Sequence, residues 1–429
     1  MDCNIKTDIT TKVFYKGTKQ TFHSHNKPYT LPDNSNVLLS MRHGLGDAAQ
    51  FCIVLKHLHK YRPNWNITIE CGYGKDTCFT GMCDKIHISS SPNFFYDGSP
   101  PTPVSKDDYD EKFDFYWFEA SEGASDKCLT HKVPATKVTK ALTEVFHIEP
   151  DPELFEYPKI PIPSHNDSAA EKYIKKLPPH KCVGIHYQGN TSAWNKNIDD
   201  DIMRHICNFI THHNYNVIIL DWDGRSELPN ARTIFCPGKK DPIWDGKGTG
   251  NAATIAALMN RFELFIGIDS GPLHIAGCTN TPTIGIWTHH HPIHFFDFAD
   301  NVLHMLPKDA IKNIHARDIK SVNKFFQDNY QHKYYGNLKK DLMDAICEHL
   351  GLKETDKINQ AVTSVVKNDV VKDNKGSKEK INQVAYSARK LKIVEKRNRK
   401  TESLHNEGNQ TVTKIGKWWI LEPKKPILS

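Results

Sequence analysis

Apolar residues come in short blocks separated by polar loops, and several of the longer segments between them carry apolar residues at helical spacing. NVLLSMR (36–42) suits a buried strand. In DAAQFCIVLKHLHKYRP, Phe51, Val54, Leu55 and Leu58 recur at helical intervals before Pro63 stops the segment. NITIECG (66–72) returns to a strand, which predicts a βαβ unit, since parallel strands need a crossover of about this length. KFDFYWFEA (112–120) predicts a further strand, and SPNFFYDGSPPTPVS before it is loop by its prolines and glycine. IEPDPELFEYPKIPIPSH (148–165) has five prolines and no period, which marks it as an interdomain linker. A second series follows: strands KCVGIHY (181–187), NVIILDW (216–222), LFIGID and TPTIGIW (281–287). The helices DDIMRHICNFITHH (200–213), NAATIAALMNRF (251–262) and GPLHIAGCTN lie among them, and NLKKDLMDAICEHLG (337–351) closes the series. Strands alternating with helices predict an α/β chain of parallel sheets with covered faces.

Length and composition refine that picture. A chain of 429 residues, 38% hydrophobic and 25% charged, is long enough for two globular domains with extensions. The boundaries expected are an N-terminal extension at 1–35, a first domain at 36–165, a second at 166–351 and a C-terminal extension at 352–429. No run of about 18 apolar residues predicts a membrane span, and the N-terminus lacks the apolar core of a signal peptide. Eleven scattered cysteines read as reduced thiols of a cytoplasmic protein, because Cys71, Cys78 and Cys83 match no zinc spacing. Charge is uneven: from Lys353 onward there are 18 basic and 9 acidic residues, against 38 and 41 in the rest. The body is near neutral and the tail is basic.

Ligands of open α/β sheets sit beyond the carboxyl ends of the strands, so the loops there carry the candidate chemistry. In IDSGPLHIAG, Asp269 closes a strand, and Ser270, Gly271 and Pro272 open a helix whose unpaired N–H groups suit a phosphate, or simply form an N-cap. The loop QGNTSAWNKN (188–197) offers Gln188, Asn190, Thr191, Ser192 and Lys196, neutral donors and one point charge suited to a diphosphate. RHGLGDAAQ (42–50) sets Arg42, His43, Gly44 and Gly46 before Asp47, which stands at a helix start as a general base or as a helix cap. No Walker loop, GxGxxG, GxSxG or HExxH occurs, so ATP hydrolysis, NAD chemistry and the common hydrolase sites lack their signatures.

Three of these segments resemble the heptosyltransferase-like glycosyltransferases of family 9. GLGDAAQFCIVLKHLHKYRPNWNITI is similar to the family's opening helix, IGIDSGPLHIAGCTNTPTIGIW to its phosphate motif and VGIHYQGNTSAWNKNI to its donor loop. The likeness runs in order over about residues 36–350. It implies a GT-B fold, two Rossmann-like domains across a cleft, the first for the acceptor and the second for the donor. It further implies an inverting transfer of a sugar, a heptose among the candidates, from a nucleotide-sugar to a glycan, glycolipid or other hydroxyl, with no required metal. By position, Asp47 matches the catalytic base. Thr191, Ser192 and Lys196 match the diphosphate contacts, Asp269 the sugar contact, and Ser270, Gly271 and His274 the phosphate turn. Gly250 and Asn251 fall where the family meets ribose and base. Ser270 replaces the family's threonine, and the donor loop is longer before Lys196. Other classes compatible with two Rossmann domains are an epimerase-like nucleotide-sugar enzyme and a non-catalytic nucleotide- or glycan-binding module.

Two segments stand apart from the motif. His289, His290, His291 and His294, in WTHHHPIHFF, read as a polar loop, with pocket lining and metal binding as the alternatives. In the tail, INQVAYSARKLKIVEKRNRK (381–400) and GKWWILEPKK (416–425) combine basic and apolar residues, which suits a membrane surface, a nucleic acid or docking on the protein itself.

Overall fold

In a computed structural model, two all-parallel sheets are built by the two βαβ series. The described residues are 9–15, 18–24, 32–41, 44–88, 109–115, 122–189, 193–221, 228, 234–237, 251–352, 414–415 and 418–419, some in backbone alone. Arg42, His43, Asn190, Thr191, Ser192 and Gly250 lie outside them, as does the basic segment 381–400. Residues 1–351 make one compact unit and 352–429 a second, in which Lys414–Ile415 and Trp418–Trp419 pair antiparallel.

The first element is an antiparallel hairpin, β1 (Ile9–Tyr15) and β2 (Thr18–Ser24), within the stretch expected to be an extension. The first sheet holds β3 (Asn36–Met41), β4 (Asn66–Cys71), β5 (Lys85–Ile88) and β6 (Glu111–Phe115) in the order β5-β4-β3-β6. Helix α1 (Leu45–Tyr61) crosses from β3 to β4 as the periodicity predicts, with Ala48, Ala49, Phe51, Cys52, Ile53, Val54, Leu55 and Leu58 all buried. Two helices follow that the pattern does not announce, α2 (Glu122–His131) and α3 (Lys137–Lys140), the latter running into a π-helical stretch at Ala141–Val145. The proline-rich segment is packed: Phe155 and Tyr157 are buried, and α4 (Ser164–Lys176) begins before it ends.

The second sheet comprises β7 (Cys182–His186), β8 (Asn216–Ile219), β9 (Ile234–Phe235), β10 (Phe262–Ile268), β11 (Thr283–Ile286), β12 (Val302–Pro307) and β13 (His332–Tyr335). Their order is β13-β12-β11-β10-β7-β8-β9, which puts the order reversal between β7 and β10. The helices are α5 (Ala193–Lys196), α6 (Asp200–His212), α7 (Ala252–Met259), α8 (Gly271–Gly277), α9 (Pro292–Phe295), α10 (Ile319–Asn329) and α11 (Leu338–Leu350). Gly351, at φ +64°, ends α11 in the left-handed cap that glycine adopts freely.

One apolar core runs through both halves, from Val37 and Leu39 through Ala252–Met259 to Phe326. The halves also exchange hydrogen bonds. The N-terminus of α7 is completed by the first half, with Ala252 N–H donated to the Gly74 carbonyl (2.9 Å) and Ala253 N–H to Thr77 Oγ1 (3.1 Å). These donors are orphans in any helix, so the contact satisfies them where water is excluded.

Candidate active site

The carboxyl ends of β3 and β10 feed the first turns of α1 and α8, and these two turns meet. Gly46 makes the contact possible: a Cβ there would come within 2.5 Å of His274 Cδ2. On the other side, a Cβ on Gly271 would lie 3.0 Å from Leu45 Cβ and 3.3 Å from Gly46 N. The close approach that Gly271 permits is therefore to the opposite helix.

On the first half, Asp47 divides its carboxylate. Oδ2 accepts the Gly44 backbone N–H (2.9 Å), so the residue does cap its helix. Oδ1 accepts from the Lys137 ammonium, brought over by α3, whose N-cap Thr136 accepts Val138 N–H. Lys75, in the turn after β4, is drawn below the usual ammonium range by burial, with the Asp47 charge pulling it back up. Met41, Phe51, Val54 and Phe115 wall an apolar hollow beside the Asp47–Lys137 pair.

On the second half, Asp269 is buried and its Oδ2 takes both the Lys196 ammonium (3.0 Å) and His290 Nδ1 (2.6 Å). Burial by itself would raise this carboxyl; the His290 hydrogen bond and the Lys196 charge outweigh it and hold the group well below the usual carboxylate range. Lys196 thus reaches the strand-end acid from α5, and the loop carrying His290 is tied to α5 by Thr288 Oγ1 donating to the Asn195 carbonyl (2.5 Å). Ser270 stands at the N-cap of α8 with no capping bond from its side chain. Gln188 donates to Asp200 Oδ1 (3.0 Å), and Asn251 is the N-cap of α7, accepting Thr254 N–H (2.7 Å).

His274 sits between the two acids and is held by a relay of hydrogen bonds. The Tyr157 hydroxyl is hydrogen-bonded to His274 Nδ1 (2.7 Å), and the Asp297 backbone stands against the same hydroxyl. Burial pushes His274 down to about 4, against the pull of Asp269 and Asp47, so the ring is neutral. The Asp297 carboxyl itself receives Gln50 Nε2 and Thr136 Oγ1 from the first half, both at 2.7 Å. Burial pushes that carboxyl up to about 7, with the two hydrogen bonds acting the other way.

The four-histidine loop is not uniformly polar. His291 and His294 are buried, at 0% and 3% exposure, and burial pushes them down to about 3 and about 4. His291 Nδ1 accepts Ile293 N–H (3.3 Å) and His294 Nε2 accepts His315 N–H (2.9 Å), so both are structural. Only His289 is exposed, and His290 faces Asp269. Among the described residues no three His, Cys, Asp or Glu side chains are grouped to hold a metal ion.

Lys137, Tyr157 and Asp297 escape a reading of the motifs because each acts on a partner far along the chain. The one local signal was Asp297, an acid inside the apolar run HFFDF.

Residues 166–323 match the model of glycosyltransferase family 9 (heptosyltransferase). Over that stretch the chain is similar to the heptosyltransferases of family 9. Over 109 residues it is 30% identical to the lipopolysaccharide core heptosyltransferase OpsX of Haemophilus influenzae, covering 25% of this chain and 31% of that protein. Over 112 residues it is 25% identical to lipopolysaccharide heptosyltransferase 3 of Escherichia coli, covering 26% and 33%. The similarity thus spans about a third of the length of these curated relatives. A solved family 9 glycosyltransferase from Veillonella parvula superposes with a TM-score of 0.50 at 12% identity, over 76% of this chain and 99% of its own. The fold is shared, two parallel α/β halves in the GT-B architecture.

Proposed function

We propose that the protein is an inverting glycosyltransferase that moves a sugar from a nucleotide-sugar to a hydroxyl acceptor. The observation that carries this reading is the meeting of the Asp47 turn with the Asp269–Lys196 turn through Gly46, His274 and Gly271. An acceptor hydroxyl beside Asp47 attacks the anomeric carbon from the face opposite the diphosphate. Its proton passes to the carboxylate, and the breaking bond leaves its electron pair on the phosphate oxygen. Lys196 and the Ser270–Gly271 turn take the diphosphate, with Gln188, Asn190, Thr191 and Ser192 lining the donor loop and Gly250 and Asn251 near ribose and base. Asp269 orders the sugar ring. Arg42, His43, Gly44 and Gly46 flank the acceptor.

In this reading residues 36–165 serve the acceptor and 166–351 the donor, and the names of the matched relatives favour a heptose and a glycan or glycolipid acceptor. No helix among the described residues is long and apolar enough to cross a membrane, and the basic 381–425 segment is the candidate contact with a glycolipid surface or a nucleic acid. The deciding assay incubates the full-length chain with ADP-, UDP-, GDP- and dTDP-sugars and a hydroxyl acceptor, and measures nucleoside diphosphate release together with glycosylated product. Release matched by product of inverted anomeric configuration supports transfer. Binding without turnover across the panel would reduce the protein to a binding module.

A further inference from the structure

Two basic groups converge on one oxygen at the donor end of the site: the Lys196 ammonium at 3.0 Å and His290 Nδ1 at 2.6 Å, both on Asp269 Oδ2. Lys196 and Asp269 cancel, and His274 is neutral because burial pushes it down to about 4. A diphosphate would therefore enter a place where, among these described residues, one lysine is already neutralised. His290 is the remaining basic side chain of the cluster.

Its geometry is that of a fixed donor. The ring stacks on Phe295, centroids 4.2 Å apart and planes 11° from parallel, and Nδ1 is committed to Asp269. With Nδ1 held, Nε2 lies on the far side of the ring, where it has no hydrogen-bond partner among the described residues, and the side chain keeps 22% exposure. The Thr288–Asn195 bond joins this loop to the helix of Lys196, so the two basic groups are carried as one piece. His289 lies beside it at 5.3 Å between ring centroids, turned outward, and His294 is buried behind, so neither offers the same position.

We propose that His290 is a diphosphate-binding residue of the donor site: as the imidazolium, with Nδ1–H donated to the ionised Asp269, it presents Nε2–H to a phosphate oxygen. This rests on the glycosyltransferase reading above and adds to it a residue outside the family motif. In the transfer step the sugar C1–O bond breaks, the electron pair stays on the phosphate oxygen, and Nε2–H donates a hydrogen bond to that oxygen. Asp269 thereby has two tasks, ordering the sugar and orienting the imidazole.

The test separates the two nitrogens. In His290→Asn the amide nitrogen stands where Nδ1 was and keeps the bond to Asp269, while Nε2 is deleted. In His290→Gln the amide reaches toward the Nε2 position. ADP, UDP, GDP and dTDP, each alongside its nucleoside, are titrated calorimetrically into the full-length chain and both variants. For the nucleoside diphosphate that binds the wild type, His290→Asn should weaken binding at least about tenfold, as expected for a hydrogen bond to a charged group. The matching nucleoside should bind unchanged, which also shows the variant to be folded, and His290→Gln should recover part of the loss. Unchanged diphosphate affinity in His290→Asn overturns the assignment and leaves the glycosyltransferase reading standing. Failure of all four diphosphates to bind the wild type overturns both.

Discussion

Asp47 serves two partners with two oxygens, and a single substitution tells the duties apart. In Asp47→Asn the amide oxygen can still accept the Gly44 N–H, so the start of α1 survives, but the side chain can no longer take a proton. Turnover should fall by roughly 10²–10⁴, the usual worth of general-base assistance, with donor affinity nearly unchanged and a modestly lower melting temperature, because the amide nitrogen then faces the Lys137 ammonium. Wild-type turnover in that variant would leave Asp47 as a cap alone. Asp297 is the opposite kind of residue, with no reach to substrate and two donors depending on it. Asp297→Ala strands Gln50 Nε2 and Thr136 Oγ1 in the interior. Each buried unsatisfied donor costs about 1–3 kcal/mol, so a substantially lower denaturant midpoint is expected.

Among the elements, the α1–α8 contact sets the spacing of the site. Gly271→Val would drive a branched side chain into Leu45 and the Gly46 backbone, and overpacking of this kind costs about 1–3 kcal/mol. The expected result is a lower melting temperature together with loss of turnover, because the two acid-bearing turns are pushed apart. An unaltered melting curve would show that the helices are free to separate. The same contact marks the limit of reading the sequence. The β3–α1–β4 unit and α8 were legible because strand blocks and helical spacing alternate cleanly there. The 137–146 segment and the region from β12 to β13 were not, since short elements and a π-helical stretch leave little period to detect. The turns holding Asp47, Lys196 and Asp269 were visible as polar residues at strand ends. What lay hidden was which partner each would meet, because Lys137 is 90 residues from Asp47 and His290 is 21 from Asp269.

For the molecule as a whole, the buried imidazoles decide how it responds to acid. His274 and His294 are pushed down to about 4 and His291 and His304 to about 3, all by burial. In the unfolded chain a histidine titrates near ~6.5. Below that pH the unfolded state binds protons that the fold refuses, so stability should fall steadily as pH drops from about 6.5 toward 4. Asp297 works the other way: with its carboxyl up at about 7, the fold holds a proton that the unfolded chain releases, and its contribution shrinks as pH rises toward 7. Four imidazoles outweigh one carboxyl, so melting temperatures recorded from pH 7.5 down to 4.5 should decline. A flat profile would mean that these rings have room to ionise in place. The continuous core has a consequence for engineering as well. A chain of two parallel α/β halves invites exchange, one module spliced to the other module of a relative. Here Gln50 and Thr136 belong to one module and Asp297 to the other, and Gly74 and Thr77 finish a helix that begins across the boundary. A hybrid that keeps only the motifs would inherit a seam with orphaned donors; one that transplants those five positions with the module has the pieces to close it.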